Sequence, residues 1–361
     1  AAQERIAPRN QTEADLAAIW RTLLKLDEVG VRDDFFALGG QSFDAVRCVA
    51  LIQERFGRAL SLSDMWQGRT IEALARRLTA SADARHAHLQ QIGQRRPGPA
   101  LYFVHPAGGQ LVGYYDLAQA MQRNCAGFLA TADDAASDGL ATIELIAARY
   151  VSELLQAQPA GPYALAGWSS GGCIAFEMAL QLETMGHQVN QLLLFDCPGP
   201  QLHARIEELD MMRGFFEDLD LGLDLAGMEA AAQEAADTEA RFASVARHLG
   251  RGGVRLNAAD LYPFYRVFKK VVDAVRAYRP VRACAARQVL LLRASEGSVG
   301  EFHGHPYGER DDWGWLDLID GALLTAWMPG SHYTMLRGAH ASAVAALLNR
   351  HAASAPAASA A

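Results

Sequence analysis

Tyr163-Ala-Leu-Ala-Gly-Trp-Ser-Ser-Gly-Gly-Cys173 is the stretch whose reading decides the fold. A short apolar run, Tyr163 to Ala166, leads into Gly-x-Ser-x-Gly. A helical pattern, Ile174 to Met185, follows and stops at Gly186. Strand, sharp turn and helix in that order make a nucleophile elbow. The turn lifts a serine Oγ to the top of a sheet, and its glycines let strand and helix approach closely. Two serines are adjacent, and the glycine frame separates them. Ser169 has Gly167 two residues before and Gly171 two after, whereas Ser170 is flanked by Trp168 and Gly172. Ser169 is the expected nucleophile. The competing reading is a Gly/Ser-rich loop that merely turns the chain; the strand before and the helix after favour catalysis.

Outward from the elbow, further strands are expected at Ala100 to His105, Ala126 to Ala130, Gln191 to Asp196, Gln288 to Arg293 and Leu323 to Met328. They are apolar on both faces and alternate with helical patterns at Tyr115 to Arg123, Thr142 to Gln156, Gly172 to Met185 and His340 to Ala352. That alternation predicts a mainly parallel sheet covered by helices on both sides. One region breaks it. From Pro200 to about Tyr278 only helical patterns occur, at Leu202 to Leu219, Glu229 to Leu249 and Ala258 to Tyr278. A helical insertion after a strand that ends in a catalytic candidate is expected to form a lid over about 200–278. Its Met211, Met212, Phe215, Phe216, Leu219 and Leu221 are expected to include residues that line an acyl pocket.

A serine hydroxyl becomes a useful nucleophile when a base takes its proton, and the base needs a carboxylate to hold its tautomer. In a strand–elbow–helix architecture the partners follow the serine in the order acid, then histidine. Asp196 ends the strand Gln191-Leu-Leu-Leu-Phe-Asp196 and is the preferred acid; Glu296, just past the strand at Gln288, competes with it. Of eleven histidines, His332 lies in Pro329-Gly-Ser-His-Tyr333, between the last strand and the last helix, where a base is required. His105, His303 and His305 read as polar loop residues. An oxyanion hole needs two backbone N–H groups. The N–H of Ser170 is one candidate, and that of Ala107, in Val104-His-Pro-Ala-Gly-Gly109, is the other, with Gly108 as the alternative.

The first eighty residues are a separate body. Thr12, as N-cap, opens a helix to Lys25, and a loop runs to Asp33-Asp-Phe-Phe-Ala-Leu-Gly-Gly-Gln-Ser42. Ser42 suits the N-cap of the next helical pattern, toward Phe56. A short piece at Ser63 to Trp66 and a helix at Thr70 to Leu78 complete a small four-helix bundle. Polar residues 81–99, closed by Arg95-Arg-Pro-Gly-Pro99, are expected to be a linker, and Ala353 to Ala361 a disordered tail.

Composition narrows the partners. Half of the 361 residues are hydrophobic, yet no apolar run reaches the length of a membrane span. A formal net charge of −8 without basic clusters argues against nucleic acid. The five cysteines (Cys48, Cys125, Cys173, Cys197, Cys284) show no metal-ligand spacing, so no metal is expected. They read as reduced thiols of a cytoplasmic protein. A chain that opens on Ala1, with the small bundle first, is expected to be a piece of a longer polypeptide.

The segment Asp33 to Ser42 resembles the attachment motif of peptidyl carrier proteins in nonribosomal peptide synthetases, and the resemblance spans nearly all of residues 10–80. It implies 4′-phosphopantetheine carried on Ser42. The most frequent family form has His-Ser-Leu where this chain has Gln41-Ser42-Phe43, which leaves the serine in place. Phe103 to Gly109, Gly161 to Gly172 and Pro329 to Met335 look like the corresponding segments of the terminal thioesterases of peptide and polyketide synthetases. That resemblance implies an α/β-hydrolase fold over residues 100–352, a helical lid, and an acid after the strand that follows the elbow helix, which favours Asp196. The expected function is a chain-terminating thioesterase with its carrier. An acyl chain passes from the Ser42 arm to Ser169 and leaves by hydrolysis or macrocyclisation. Upstream condensation and adenylation domains and a phosphopantetheinyl transferase are the implied partners. Two alternatives stand beside it: an editing hydrolase for stalled chains, and a carrier with a catalytically silent docking domain.

Overall fold

A computed structural model describes residues 6–40, 42–57, 60, 64–65, 68–79, 88–131, 134, 137–203, 207–218, 227, 230–231, 237–250, 258–296 and 307–354. Gln41, Leu219, Leu221, His303, His305, residues 81–87 and the tail from 355 lie outside them. The chain divides into two compact units, Ala1–Ala84 with Glu208–Arg266 and Arg85–Glu207 with Val267–Ala361. Residues 208–266 of the expected lid thus belong to the first unit, and the sheet to the second.

The second unit is built on a seven-stranded sheet. Its strands are β1 (Leu89–Ile92), β2 (Leu101–Val104), β3 (Cys125–Phe128), β4 (Tyr163–Trp168), β5 (Val189–Phe195), β6 (Gln288–Ala294) and β7 (Leu323–Met328). The spatial order is β1-β3-β2-β4-β5-β6-β7. Every neighbouring pair is parallel except β1 with β3. The elbow strand β4 is the middle strand and all six of its residues are buried, as a strand covered on both faces requires. Helices Ile143–Ala157, Ser170–Thr184 and Gly338–Ser354 alternate with the strands. Ile143–Ala157 begins where Thr142 accepts the Leu145 N–H. One core cluster runs from Ile92 and Leu101 through Phe103, Trp168 and Phe195 to Leu348.

Two strands differ from expectation. Residues 89–92, read as linker, form β1. Only Ile92 of the four is buried, because an edge strand needs its backbone paired and little else. The Gln91 side chain adds to that pairing by donating to the Cys125 carbonyl (2.7 Å) and to Asn124 Oδ1 (2.9 Å). At the other edge β7 has the expected apolar residues but is not buried on both faces: Leu324 and Trp327 are exposed.

In the first unit, helices Gln11–Leu24, Ser42–Phe56 and Ile71–Thr79 are described, and the first packs on the other two. Residues 64 and 65, in the expected short piece, are helical, while 61–63 and 66–67 lie outside the description. The cap of the first helix is Asn10, not Thr12. Asn10 Oδ1 accepts the Glu13 N–H (2.9 Å) and the Glu13 carboxylate reaches back to the Arg9 N–H (2.8 Å), so two orphan donors are met at once. Trp20 and Phe35 meet edge to face with centroids 4.8 Å apart.

The helices Glu208–Asp218 and Thr238–Gly250 also belong to this unit. Met211, Met212, Phe215 and Phe216 are all buried. Phe215 and Phe216 pack on each other and on Phe242, with ring centroids 5.2 to 5.8 Å apart. Phe215 and Phe216, two of the residues expected to include pocket lining, thus pack within the helical segment itself.

Candidate active site

The elbow has the geometry its glycines demand. Ser169 adopts φ 54°, ψ −134°, a backbone conformation that L-residues rarely hold. It is pinned by its N–H on the Phe195 carbonyl (3.0 Å) and by its own carbonyl, which accepts the Gly172 N–H (2.9 Å). A Cβ at Gly167 would lie 2.2 Å from the Gly171 oxygen, and one at Gly171 would lie 2.5 Å from the Val104 oxygen. Neither position admits a side chain, as the glycine frame expected around Ser169 requires. Ser170 is the first residue of the following helix, so its N–H is one of the first-turn donors without an intrahelical acceptor. Its Oγ is buried and has no hydrogen-bond partner.

The structure brings Asp196 and His332 together from the ends of β5 and β7. Asp196 is 2% exposed, so a free carboxylate there would be costly without partners. It has them: Oδ1 accepts the Ala294 N–H at 2.8 Å, and Oδ2 stands 2.7 Å from His332 Nδ1. Since a carboxylate only accepts, Nδ1 carries a proton, and in the neutral ring the lone pair is then on Nε2. The His332 ring lies against Trp168, the residue before Ser169, with centroids 5.2 Å apart, and against the Tyr333 ring at 5.0 Å. Glu296, the competing acid, is exposed, and its N–H goes to the Gly330 carbonyl (2.9 Å).

His105 is not the polar loop residue its sequence context suggests. It is fully buried, and burial pushes its pKa down to about 4, so the ring is neutral. Nδ1 donates to the Pro106 carbonyl (2.7 Å) and Nε2 accepts from the Tyr150 hydroxyl (2.8 Å). The ring thereby fixes the loop that carries the buried Ala107. The Gly109 N–H on the Pro106 carbonyl (3.0 Å) closes the same turn. The signal missed in the sequence is tertiary: Tyr150 lies 45 residues away.

Among the described residues, one group offers metal-ligand atoms. Cys173, Cys197 and His203 are buried, with their ligand atoms within 4.8 Å of one another. His203 Nε2 donates to the Pro198 carbonyl (3.2 Å). Burial pushes the Cys197 thiol well up, and a Cβ on Gly172 would lie 2.4 Å from its sulfur. The set has three ligands and is closely packed. All five cysteines are free and buried.

In the carrier region, Gly39 has φ 97°, open only to glycine without strain, and a Cβ on Gly40 would lie 2.7 Å from the Phe35 carbonyl oxygen. The two glycines let the chain turn tightly beside Phe35 and deliver Ser42 to the first position of helix Ser42–Phe56. A helix N-terminus with Asp44 alone in its first turn still presents N–H groups to a phosphate, so the backbone here fits a phosphopantetheine ester.

Comparison with known proteins agrees with both halves. Residues 99–351 match the thioesterase domain family, and residues 14–78 match the phosphopantetheine attachment site family. Tyrocidine synthase 3 of Brevibacillus parabrevis is 35% identical over 196 residues, 54% of this chain and 3% of that protein. The NocB thioesterase domain, solved in covalent complex with a fluorophosphonate nocardicin G analogue, is 25% identical with a TM-score of 0.52, covering 73% of this chain and 99% of that one. Holo-AB3403, a four-domain nonribosomal peptide synthetase, shares the fold over 97% of this chain and 27% of its own, with a TM-score of 0.62 at 24% identity. The chain thus spans a small part of the synthetases it matches. With an α/β-hydrolase sheet, a serine elbow and a family match over most of its length, the chain belongs to the thioesterase domain family and carries a phosphopantetheine attachment site ahead of that domain.

Proposed function

We propose that this chain is the carrier and releasing thioesterase of a nonribosomal peptide synthetase. The observation that carries the reading is the Asp196–His332 pair at 2.7 Å, whose ring packs on the residue preceding a serine held in a strained elbow. Ser42 is the attachment residue; a phosphopantetheine arm supplies a thiol that holds the acyl or peptidyl chain as a thioester. Ser169 Oγ attacks the thioester carbonyl while His332 Nε2 takes its proton. Asp196 holds the imidazole and stabilises the imidazolium that forms. The N–H groups of Ala107 and Ser170 receive the negative charge on the carbonyl oxygen. The carbon–sulfur bond then breaks, the proton passes from His332 to the departing sulfur, and an ester remains on Ser169. Water or a nucleophile within the chain attacks that ester by the same route in reverse, which releases a hydrolysed or macrocyclic product.

Upstream condensation and adenylation domains supply the chain in this reading, and a phosphopantetheinyl transferase loads the arm. We place the protein in the cytoplasm, where buried free thiols stay reduced; among the described residues no helix is long and apolar enough to cross a membrane.

The test is labelling of the whole chain with a fluorophosphonate, read by intact mass. One adduct, lost in Ser169→Ala, is expected. A wild-type chain that takes no adduct and does not turn over an acyl thioester of N-acetylcysteamine would instead mark the hydrolase fold as a silent docking domain.

A further inference from the structure

Tyr114 closes a gap in the sheet at the point where the two proposed oxyanion-hole segments leave it. The residue is fully buried at the end of a short turn, Val112–Tyr114, with its ring on Phe103 at 4.8 Å. Its hydroxyl donates to the Val104 carbonyl at 2.6 Å and accepts the Trp168 N–H at 2.7 Å. Val104 and Gly167 are the last register partners of β2 and β4. In a parallel ladder the N–H one residue beyond such a partner bonds its carbonyl, so the next rung here would join Trp168 N–H to Val104 C=O. The Tyr114 hydroxyl occupies that rung.

The reason the strands part at this rung is visible on both sides. β2 must release the loop from His105 to Gly109, and β4 must turn into the elbow, with Gly171 pressed against the Val104 and His105 carbonyls. Ala107 lies three residues beyond Val104, and Ser170 two beyond Trp168. The two N–H groups proposed for the oxyanion hole therefore hang from backbone atoms that a single hydroxyl ties together.

We propose that Tyr114 is a positioning residue: its hydroxyl sets the separation of the Ala107 and Ser170 N–H groups and so the fit of the hole to the tetrahedral oxyanion. The inference rests on the hole read above, and it assigns Tyr114 no contact with substrate. Removing the hydroxyl leaves Val104 C=O and Trp168 N–H unpartnered while the ring keeps its packing. Donors displaced from an oxyanion are felt in the transition state more than in the ground state.

The experiment compares the full chain with Tyr114→Phe, using an acyl thioester of N-acetylcysteamine as substrate and an alkyl boronic acid as the tetrahedral mimic. In folded Tyr114→Phe, kcat should fall about 10–100-fold, with KM little changed and boronate affinity falling in parallel. Substrate binding measured in the Ser169→Ala background should be the same with and without the second change. Incorporation of 4-aminophenylalanine at position 114, which keeps the ring and restores a polar group, should recover most of the kcat and boronate affinity. A folded Tyr114→Phe with unchanged kcat, a loss confined to KM, or a kcat loss without loss of boronate affinity would each overturn the proposal. If Tyr114→Phe does not fold, the aminophenylalanine chain is compared directly with wild type. Its weaker acceptor should lower kcat and boronate affinity together, and no change in either overturns the idea. Failure of the wild type to take a fluorophosphonate would instead sink the serine site, a result separate from any of these.

Discussion

Asp196 holds His332 Nδ1 at 2.7 Å with one carboxylate oxygen while its other oxygen accepts the Ala294 N–H at 2.8 Å. A carboxylate anchored through β6 has little freedom to follow the histidine, so it dictates which way the ring faces. Asp196→Asn keeps the volume but loses the acceptor that fixes the tautomer. Turnover of a soluble acyl thioester should fall by about four orders of magnitude, by analogy with the same change in a serine protease triad. Glu296→Gln, at an exposed position, should cost far less; the reverse ranking would move the acid to the later strand.

The glycine frame makes a sharper claim about the neighbouring serines. Ser169→Ala should abolish fluorophosphonate labelling. Ser170→Ala keeps its backbone N–H and removes a hydroxyl that has no partner, so its loss in kcat should be well below the roughly hundredfold or more that follows loss of an oxyanion-hole donor. Labelling that survives in Ser169→Ala and vanishes in Ser170→Ala would shift the frame by one residue.

Ser42 should accept one phosphopantetheine from coenzyme A when a phosphopantetheinyl transferase is added. Intact mass should show a single added arm in the wild type and none in Ser42→Ala. An arm on the alanine variant would place the attachment elsewhere.

Phe215 is 2% exposed among aromatic neighbours, which changes what its removal does. Phe215→Ala should destabilise the helical segment by about 3–5 kcal/mol, the usual cost of emptying a buried phenylalanine site. Hydrogen exchange across residues 208–218 and 238–250 is the measurement, and protection equal to wild type would return Phe215 to a lining role.

His88 provides a pH handle on the hydrolase unit. Burial by itself would lower its pKa, but hydrogen bonds to Asp134 and Glu153 outweigh that and raise it to about 9. Glu153 Oε1 stands 2.5 Å from Nδ1, and Asp134 Oδ2 stands 3.1 Å from Nε2. A folded-state pKa above the unfolded value means the charged form favours folding. Its stability contribution is fully present below the ordinary histidine pKa, about 6.5, and declines as pH rises through 9. Denaturation of wild type and His88→Gln across that window should show the slope in the first and a flatter profile in the second. Parallel profiles would remove His88 as the cause.

The sequence by itself determined those features that local chemistry controls. Buried strands declare themselves by unbroken apolar runs, and β4, buried at all six positions, is found where its run predicts because nothing else fits a core between two helical layers. The elbow is local at Gly167, whose side-chain space the Gly171 backbone occupies, whereas Gly171 is required by the Val104 and His105 carbonyls at the end of another strand. The positions of Asp196 and His332, each just past a strand, were legible as well, because residues beyond the carboxyl ends of parallel strands come to one edge of the sheet. Only the tertiary structure decided the rest. β1 is half glutamine, and an edge strand leaves no apolar signature, so only its pairing with β3 reveals it. The lid phenylalanines have the same side chains whether they face a pocket or each other, and packing chose the latter. Asp196 and His332 are 136 residues apart, as Tyr114 and Trp168 are 54 apart, and hydrogen bonds of 2.7 Å across such spans are set by how sheet and helices pack, which no local pattern encodes.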